Sequence, residues 1–138
     1  MMEAPGPPMP NLPPLSPVVE LCRALVQIPS PSGQEGPLAA FVAHRMEGLG
    51  FQVETDRLGN VLGIRTGRQP GPTLLLDAHL DTVPVPDPGA WSHEPFAADI
   101  AGGRLWGRGA ADTKGSLAAM LCATASLPRE SFQGTVLV

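Results

Sequence analysis

An unbroken run of four residues, Thr-Leu-Leu-Leu at positions 73–76, most constrains the fold of this 138-residue chain. Such a run predicts a short strand that is covered on both faces, which is typical of sheets with helices packed against them. Helical patterns occur before and after this strand, because apolar residues recur three and four positions apart in segments 18–25, 38–49 and 117–124. The sequence therefore predicts an α/β fold with a mixed, mostly parallel sheet flanked by helices.

Capping and turn residues predict where these elements begin and end. Ser16-Pro17 is typical of a helix start, and this helix is expected to run to about residue 27. Residues 32–35 (Ser-Gly-Gln-Glu) match the S-x-x-E capping box of a second helix, with Gly50 as its C-terminal cap. Alternating apolar and polar residues at 51–56 predict a hairpin with the strand at 61–65.

The two ends of the sequence predict different structures. Seven of the first 17 residues are proline, so residues 1–15 are expected to form a disordered Pro-rich lead before a folded part at residues 16–138. Residues 134–138 (Gly-Thr-Val-Leu-Val) predict an interior strand. Because a domain rarely finishes on such a strand, the chain is expected to be truncated.

Composition and charge exclude several classes of function. Thirteen acidic against nine basic residues give a net charge of −4, which argues against nucleic acid as a partner. No stretch approaches the ~18 consecutive apolar residues of a membrane span. No basic residue precedes Arg23, so a secretory signal is not expected, and Cys22 and Cys122 are expected to be buried free thiols. These features predict a soluble protein of the cytoplasm.

His79 and Asp81 come where the predicted buried strand ends, which is where open α/β sheets place ligand sites. Residues two apart on an extended backbone point the same way, so both side chains can face one pocket. The imidazole can bind a divalent transition metal that the carboxylate helps to orient, or His79 can be an ordinary loop histidine bonded to Asp81. The H-x-D pattern alone leaves both interpretations open.

Asp112 follows the Gly-rich turn Gly107-Arg108-Gly109 and precedes a helix predicted at about 114–127. It can cap that helix, because an aspartate there accepts a main-chain hydrogen bond and complements the helix dipole. It can instead supply carboxylate oxygens to a metal, even to two ions about 3.5–4 Å apart. By contrast, His44 is expected to be a solvated helix residue and His93 an exposed loop residue.

Together these segments resemble one enzyme family. The motifs are His79-x-Asp81-Thr-Val-Pro, then Trp91 and Pro95-Phe, then Gly107-Arg-Gly-x-x-Asp112-x-Lys-Gly. In this order they are similar to the zinc metallopeptidase and deacylase family of acetylornithine deacetylase, succinyl-diaminopimelate desuccinylase, aminoacylase and glutamate carboxypeptidase. Residues 30–35 and the hairpin at 56–61 also look like this family's opening. The resemblance covers about residues 17–138 and implies that residues 16–138 are the N-terminal portion of a metallohydrolase catalytic domain.

The resemblance implies a role for each of three residues. His79 would bind one metal ion, Asp112 would bridge two, and Asp81 would be the catalytic acid that holds His79 in position. A Glu-Glu pair that supplies the general base, further ligands, and a smaller domain for homodimer formation would all lie beyond Val138. The implied cofactor is zinc, with two ions per complete site, and a His and Asp donor set would also suit cobalt or manganese.

The expected activity of the complete protein is hydrolysis of an amide bond in an N-acyl amino acid or small peptide by a metal-activated water. This describes a zinc-dependent amidohydrolase, either a deacetylase or an exopeptidase, with small soluble substrates. The 138-residue chain by itself is expected to be inactive. Two alternatives stay open: a catalytically inactive fragment or binding module, and a peptidase that acts on longer peptides or proteins.

Overall fold

The structure is a computed structural model that describes residues 15–138, so all of the predicted Pro-rich lead except Leu15 lies outside the described residues. In this part of the chain, three helices exceed one turn: α1 (Pro17–Val26), α2 (Gly36–Gly48) and α3 (Gly115–Ser126). The same residues form six strands: β1 (Gln52–Thr55), β2 (Val61–Thr66), β3 (Gln69–Leu75), β4 (Asp99–Ala101), β5 (Arg104–Trp106) and β6 (Gln133–Leu137).

The helix boundaries follow the sequence signals with one exception. The Ser16 hydroxyl accepts a hydrogen bond from the Val19 amide at 3.4 Å, as the predicted cap of α1 requires. Gly50 follows α2 with φ of +82°, a conformation that favours glycine, so its predicted role at the helix end is confirmed. The predicted capping box is wrong, because α2 begins at Gly36 and Ser32 therefore lies outside its first turn. The Ser32 hydroxyl bonds to Asp81 instead.

The main sheet has four strands in the order β1-β2-β6-β3. β1 and β2 form the predicted antiparallel hairpin, β2 is also antiparallel to β6, and β3 is parallel to β6. The mixed sheet with flanking helices is thus confirmed. Its predicted mostly parallel character is wrong for the described residues, where two of the three strand pairs are antiparallel.

The strand that precedes the H-x-D motif is more exposed than predicted. Leu74 and Leu75 are 55% and 62% exposed. The reason is that β3 lies at the edge of the described sheet and pairs only with β6, while α2 packs against β1 and β2. The expectation of a strand covered on both faces is therefore wrong for the described residues. Thr82, just after the motif, is by contrast buried.

The hydrophobic core joins the three helices to the sheet. Its buried members come from α1, α2, α3 and β6 and from single residues beside β1, β4 and β6: Leu21, Cys22, Leu25, Val26, Leu38, Val42, Met46, Phe51, Ala98, Leu117, Ala118, Leu121, Val136 and Val138. Both cysteines are free thiols, as predicted, but only Cys22 is buried and Cys122 is half-buried. Among the described residues, no helix has the length and apolar content that crossing a membrane requires.

Arg65 on β2 ties the ends of two helices to the sheet. Its guanidinium donates to the carbonyl oxygens of Leu49, Ala125 and Leu127 at 3.2, 3.3 and 2.8 Å. These carbonyls lie at the C-terminal ends of α2 and α3, where the helix itself supplies no donor. The guanidinium also lies 5.7 Å from the centroid of the Phe51 ring. One charged side chain thus stabilises the packing of both helices on β2.

Candidate functional site

His79 and Asp112 meet although 33 residues separate them. His79 lies in the segment that follows β3, and Asp112 lies in the turn Ala110–Lys114 that leads into α3. The Nε2 atom of His79 is 2.9 Å from Oδ1 of Asp112. The structure therefore brings these two predicted site residues into direct contact. Asp112 does not cap α3, because the N-cap position of that helix is occupied by Lys114.

Asp81 contacts the other nitrogen of the same imidazole. The Nδ1 atom of His79 lies 2.9 Å from the main-chain carbonyl oxygen of Asp81 and 3.3 Å from its carboxylate Oδ1. His79 is therefore held on both edges of its ring, by Asp81 at Nδ1 and by Asp112 at Nε2. All three predicted site residues lie together, as the alternation of side chains on an extended backbone suggested for the first two.

The electrostatics of the site follow from these contacts. The pKa of His79 is raised, first because Asp112 hydrogen-bonds to the imidazole and next because the Asp81 carbonyl does. The pKa of Asp81 is lowered, chiefly because the Ser32 hydroxyl donates to its carboxylate. The side chains of His79 and Asp112 are 49% and 88% exposed. Solvent reaches the pair, so a dissolved ion or small molecule has access to it.

The Gly-rich turn before Asp112 requires glycine at position 109. Gly109 has φ of +80°, and a Cβ atom there would lie 2.7 Å from the Thr82 side chain. A larger residue would push the turn away from the segment that carries His79. Close packing of these two segments thus depends on a residue without a side chain.

The buried side chain of Lys114 holds the same turn against the residues that follow α1. The sequence analysis did not predict this role. The side chain is only 1% exposed, and its Nζ donates to the Ile28 carbonyl at 2.8 Å. Burial lowers the pKa of Lys114 to about 8. A sequence signal was available, because Lys114 is the single lysine of the chain and lies within the Gly-rich motif. Lysine is seldom fully buried unless it has a partner.

The loop between α1 and α2 covers the motif from the other side. The Ser32 hydroxyl donates to Oδ2 of Asp81 at 2.5 Å, and the Ser30 hydroxyl donates to the Leu80 carbonyl at 2.8 Å. The Thr82 amide donates in turn to the Ser30 carbonyl at 2.8 Å. These contacts were also missed, because Ser32 was predicted to cap a helix.

Two cavities border His79, and one of them also borders Asp112. The smaller, of about 310 Å³, is lined by residues 79, 81–83 and 107–112. The larger, of about 770 Å³, lies between α2, the β1–β2 hairpin and residues 75–81. His79 and Asp81 line both cavities. A small molecule can therefore reach His79 and Asp81 from either cavity, whereas it reaches Asp112 from the smaller one.

The donors of the pair fit a divalent transition metal but are few. An imidazole nitrogen and a carboxylate oxygen are the ligand types that zinc prefers alongside thiolate. Asp81 takes Nδ1, so Nε2 is the nitrogen that faces the open site. Within residues 15–138, however, no three His, Cys, Asp or Glu side chains are grouped so that they could hold an ion. The described residues thus supply part of a metal site.

The remaining histidines lie away from this pair. His44 is exposed on α2 beside Glu47, as predicted. His93 is less exposed than predicted, because its ring stacks on Trp106 with centroids 4.7 Å apart and its Nδ1 lies 3.2 Å from the Asp99 carboxylate. It therefore packs against the β4–β5 hairpin.

Comparison with known structures shows which fold this is. The chain is similar to a metallo-carboxypeptidase of the M20 family from Sulfolobus solfataricus, with a TM-score of 0.78 and 25% identity over 89% of this chain and 30% of that one. It is also similar to human carnosine dipeptidase 1, with a TM-score of 0.73 and 24% identity over 87% of this chain and 30% of that one. A third similar structure is a dinuclear metal-binding M20 peptidase from Bacillus subtilis, with a TM-score of 0.65 and 21% identity over 87% of this chain and 33% of that one.

The chain thus spans about a third of the length of these structures. Residues 75–138 match the family model described as peptidase family M20/M25/M40. This range contains the H-x-D motif at His79 and the Gly-rich motif that includes Asp112. The resemblance drawn from the motifs is confirmed at the level of the family. Over residues 75–138 the chain is thus similar to peptidase family M20/M25/M40, and the described residues have the fold of the M20 structure from Sulfolobus solfataricus.

Proposed function

We propose that the protein to which this chain belongs is a metal-dependent hydrolase that cleaves an amide bond of an N-acyl amino acid or small peptide. His79 and Asp112 would be metal ligands, and Asp81 would be the acid that orients His79. The observation that carries the proposal is the arrangement around one imidazole, with Asp112 at Nε2 and Asp81 at Nδ1.

Each of these residues has a separate task in the proposal. Asp81 lies beside Nδ1 of His79, with its main-chain carbonyl 2.9 Å and its carboxylate 3.3 Å from that nitrogen. Both acceptors would keep the proton on Nδ1 and leave the Nε2 lone pair for an ion. Asp112 adds negative charge beside Nε2, and its high exposure leaves oxygens accessible for a further contact. When bound, the metal would polarise the scissile carbonyl and activate a water for attack.

Zinc is the proposed metal, with two ions per complete site. The nitrogen and oxygen donors support zinc, and ligand type alone would also allow cobalt or manganese. The description of the Bacillus subtilis structure as a dinuclear metal-binding peptidase supports the number of ions. The remaining ligands and the general base are not assigned to residues of this chain.

The proposed substrates are small. The cavity beside the pair, of about 310 Å³, suits one or two residues rather than a folded protein. The similar structures from Sulfolobus solfataricus and human are named a carboxypeptidase and a dipeptidase, which supports a substrate of peptide chemistry. A deacylase that acts on N-acetyl or N-succinyl amino acids would break the same type of bond.

The proposal also includes a location and an assembly. Cys22 and Cys122 are free thiols, a state that a reducing compartment preserves, and this supports the cytoplasm. A homodimer, formed through a domain that the described residues do not contain, is proposed from the family resemblance alone.

Zinc content tests the assignment of ligands. We expect His79→Ala and Asp112→Ala each to reduce the zinc bound per chain, measured by elemental analysis after dialysis against a fixed zinc concentration. Asp81→Ala should retain more zinc than either, because Asp81 acts through His79. His44→Ala is the matched control, since it removes an exposed histidine outside the site. Unchanged zinc content in the His79→Ala, Asp112→Ala double variant would contradict the assignment.

Substrate identity requires a separate measurement. A protein that contains this chain and hydrolyses amides should act on N-acyl amino acids or dipeptides, and a chelator should abolish the activity. Cleavage restricted to long peptides or folded proteins would exclude the small-substrate proposal while leaving the metal site in place.

A further inference from the structure

The loop between α1 and α2 contains a segment, residues 30–35, that we call the strap. It lies along residues 80–82, immediately after His79. The Ser30 hydroxyl donates to the Leu80 carbonyl at 2.8 Å, and the Thr82 amide donates to the Ser30 carbonyl at 2.8 Å. Pro31 and Thr82 form a parallel bridge between the two segments. The strap is thereby fixed to the backbone beside the candidate site.

Ser32 differs from Ser30 in what its hydroxyl contacts. Ser30 is fully buried and bonds to backbone, whereas Ser32 is exposed and bonds to the side chain of Asp81. The two carboxylate oxygens of Asp81 are thus divided, with Oδ2 accepting from Ser32 and Oδ1 facing Nδ1 of His79 at 3.3 Å. A chain of contacts runs from the strap to the imidazole.

The local backbone brings Ser32 to this position. Gly33 has φ of +84°, and its amide donates to the carboxylate of Glu35 at 2.6 Å. Glu35 therefore closes a tight turn within the strap. That turn directs Ser32 towards Asp81 and leaves its hydroxyl without a part in α2.

We infer that Ser32 is a positioning residue, whose hydroxyl holds the Asp81 carboxylate beside Nδ1 of His79, where it adds to the main-chain carbonyl of Asp81 in keeping the imidazole proton on Nδ1. The importance of this for metal binding rests on the proposed function, whereas the effect on the imidazole does not. An exposed carboxylate with one fixed oxygen loses rotational freedom, and a hydrogen bond to a charged acceptor is stronger than one between neutral groups.

The tautomer of His79 is the property that this arrangement controls. A neutral imidazole carries one proton, on either Nδ1 or Nε2. Asp81 favours a proton on Nδ1, because its main-chain carbonyl lies 2.9 Å and its carboxylate 3.3 Å from that nitrogen, whereas the Asp112 carboxylate favours a proton on Nε2. Ser32 shifts this balance towards Nδ1 by holding the carboxylate of Asp81, the second of the two acceptors beside that nitrogen. Only the Nδ1–H tautomer leaves the Nε2 lone pair for a ligand bond.

A matched pair of variants separates the hydroxyl from the shape of the side chain. Ser32→Thr keeps the hydroxyl, and Ser32→Val introduces a side chain with nearly the shape of threonine but no hydroxyl. Ser32→Ala is a second hydroxyl-free variant, and Ser30→Ala is the control on the strap. The ring ¹⁵N chemical shifts of His79 are recorded on the 138-residue chain with chelator, at about pH 9, where imidazoles are largely neutral. Zinc affinity is then measured on the same proteins by competition with a chelating dye.

The expected result is a shift of the His79 tautomer towards Nε2–H in the Val and Ala variants at position 32, and no shift in Ser32→Thr. Zinc affinity should fall about tenfold in the hydroxyl-free variants, which is the low end for partners that orient a metal-binding histidine. Ser30→Ala should lower the unfolding temperature and leave the tautomer unchanged.

Equal tautomer populations in Ser32→Val and Ser32→Thr would overturn the inference. So would the same tautomer shift in Ser30→Ala, because a general loosening of the strap would then explain the effect. Because the tautomer is measured without metal, this outcome is independent of whether His79 and Asp112 bind zinc. If the tautomer shifted but the zinc affinity of the hydroxyl-free variants did not fall, the result would count against the proposed function instead.

Discussion

The buried ammonium of Lys114 leads to a prediction about stability at high pH. Lys114 is the only lysine in the chain and is 1% exposed, and among residues 15–138 its ammonium donates to one carbonyl, that of Ile28. An ammonium group has three hydrogens to donate, so burial with one acceptor leaves the charge poorly solvated. This desolvation lowers the pKa of Lys114 to about 8, from 10.5 for an unperturbed lysine.

The lowered pKa of Lys114 determines both the sign and the size of the change in the free energy of unfolding with pH. Above pH 10.5 the lysine is neutral in the folded and unfolded chains, so its charge carries no penalty. As pH falls through about 8, the folded chain must hold a buried charge that the unfolded chain keeps in water. At about 1.4 kcal/mol for each pKa unit, the free energy of unfolding should rise by about 3 kcal/mol between pH 8 and 10.5.

Lys114→Met removes this dependence and keeps a side chain of similar size. It also leaves the Ile28 carbonyl without a donor, which costs about 1–3 kcal/mol. At about pH 7 the removal of the buried charge offsets this loss. The free energies of unfolding of the two proteins should therefore differ by about 2 kcal/mol or less. Near pH 10.5 the variant should be the less stable of the two, because the wild-type lysine is then neutral and still hydrogen-bonded.

Urea unfolding followed by tryptophan fluorescence, at a series of pH values and with chelator present, measures the difference. The chain has no tyrosine, so few other groups titrate in this range. The main ones are Cys22 and Cys122, whose pKa values are raised by burial, and both proteins therefore carry alanine at these positions. Parallel stability curves for the two proteins would refute the reasoning, because they would show that the Lys114 charge is solvated in the folded chain.

Three further predictions concern the fold and the isolated chain. Arg65→Met should lower the free energy of unfolding by about 2–3 kcal/mol in urea titrations, because three carbonyls at helix ends lose their donor. The control Arg104→Met, at an exposed position on β5, should change it by less than about 0.5 kcal/mol. Gly134→Ala should abolish the circular dichroism spectrum of the folded chain, because its Cβ would overlap a carbonyl of β3. Gly33→Ala has a similar φ but open space around its Cβ, so it should lower the free energy of unfolding by only about 1–2 kcal/mol. The 138-residue chain with added zinc should show no chelator-sensitive amide hydrolysis, because the described residues do not group three metal ligands; such turnover would mean that the chain already contains its general base.

Local sequence signals were sufficient for the elements that local physics controls. Ser16-Pro17 started α1, Gly50 followed α2, and the alternation at 51–56 formed the β1–β2 hairpin, because caps, turns and alternating patterns depend on neighbouring residues. The same signals failed at Ser32. Its S-x-x-E pattern is a valid helix start, but the helix begins four residues later and the hydroxyl binds a carboxylate from a distant part of the chain.

The sequence by itself determined which residues could do chemistry: the spacing of His79 and Asp81 placed both on one side of an extended segment, and the Gly-rich turn placed Asp112 before a helix. Only the tertiary structure decided that Nε2 of His79 meets Asp112, that Lys114 and Ser32 support the two halves of the site, and that β3 lies at an exposed sheet edge. The reason is physical. Helix and strand periodicity are set within a few residues, whereas these contacts join segments 33 to 86 positions apart, and only the packing of α1, α3 and the sheet brings them within hydrogen-bonding distance.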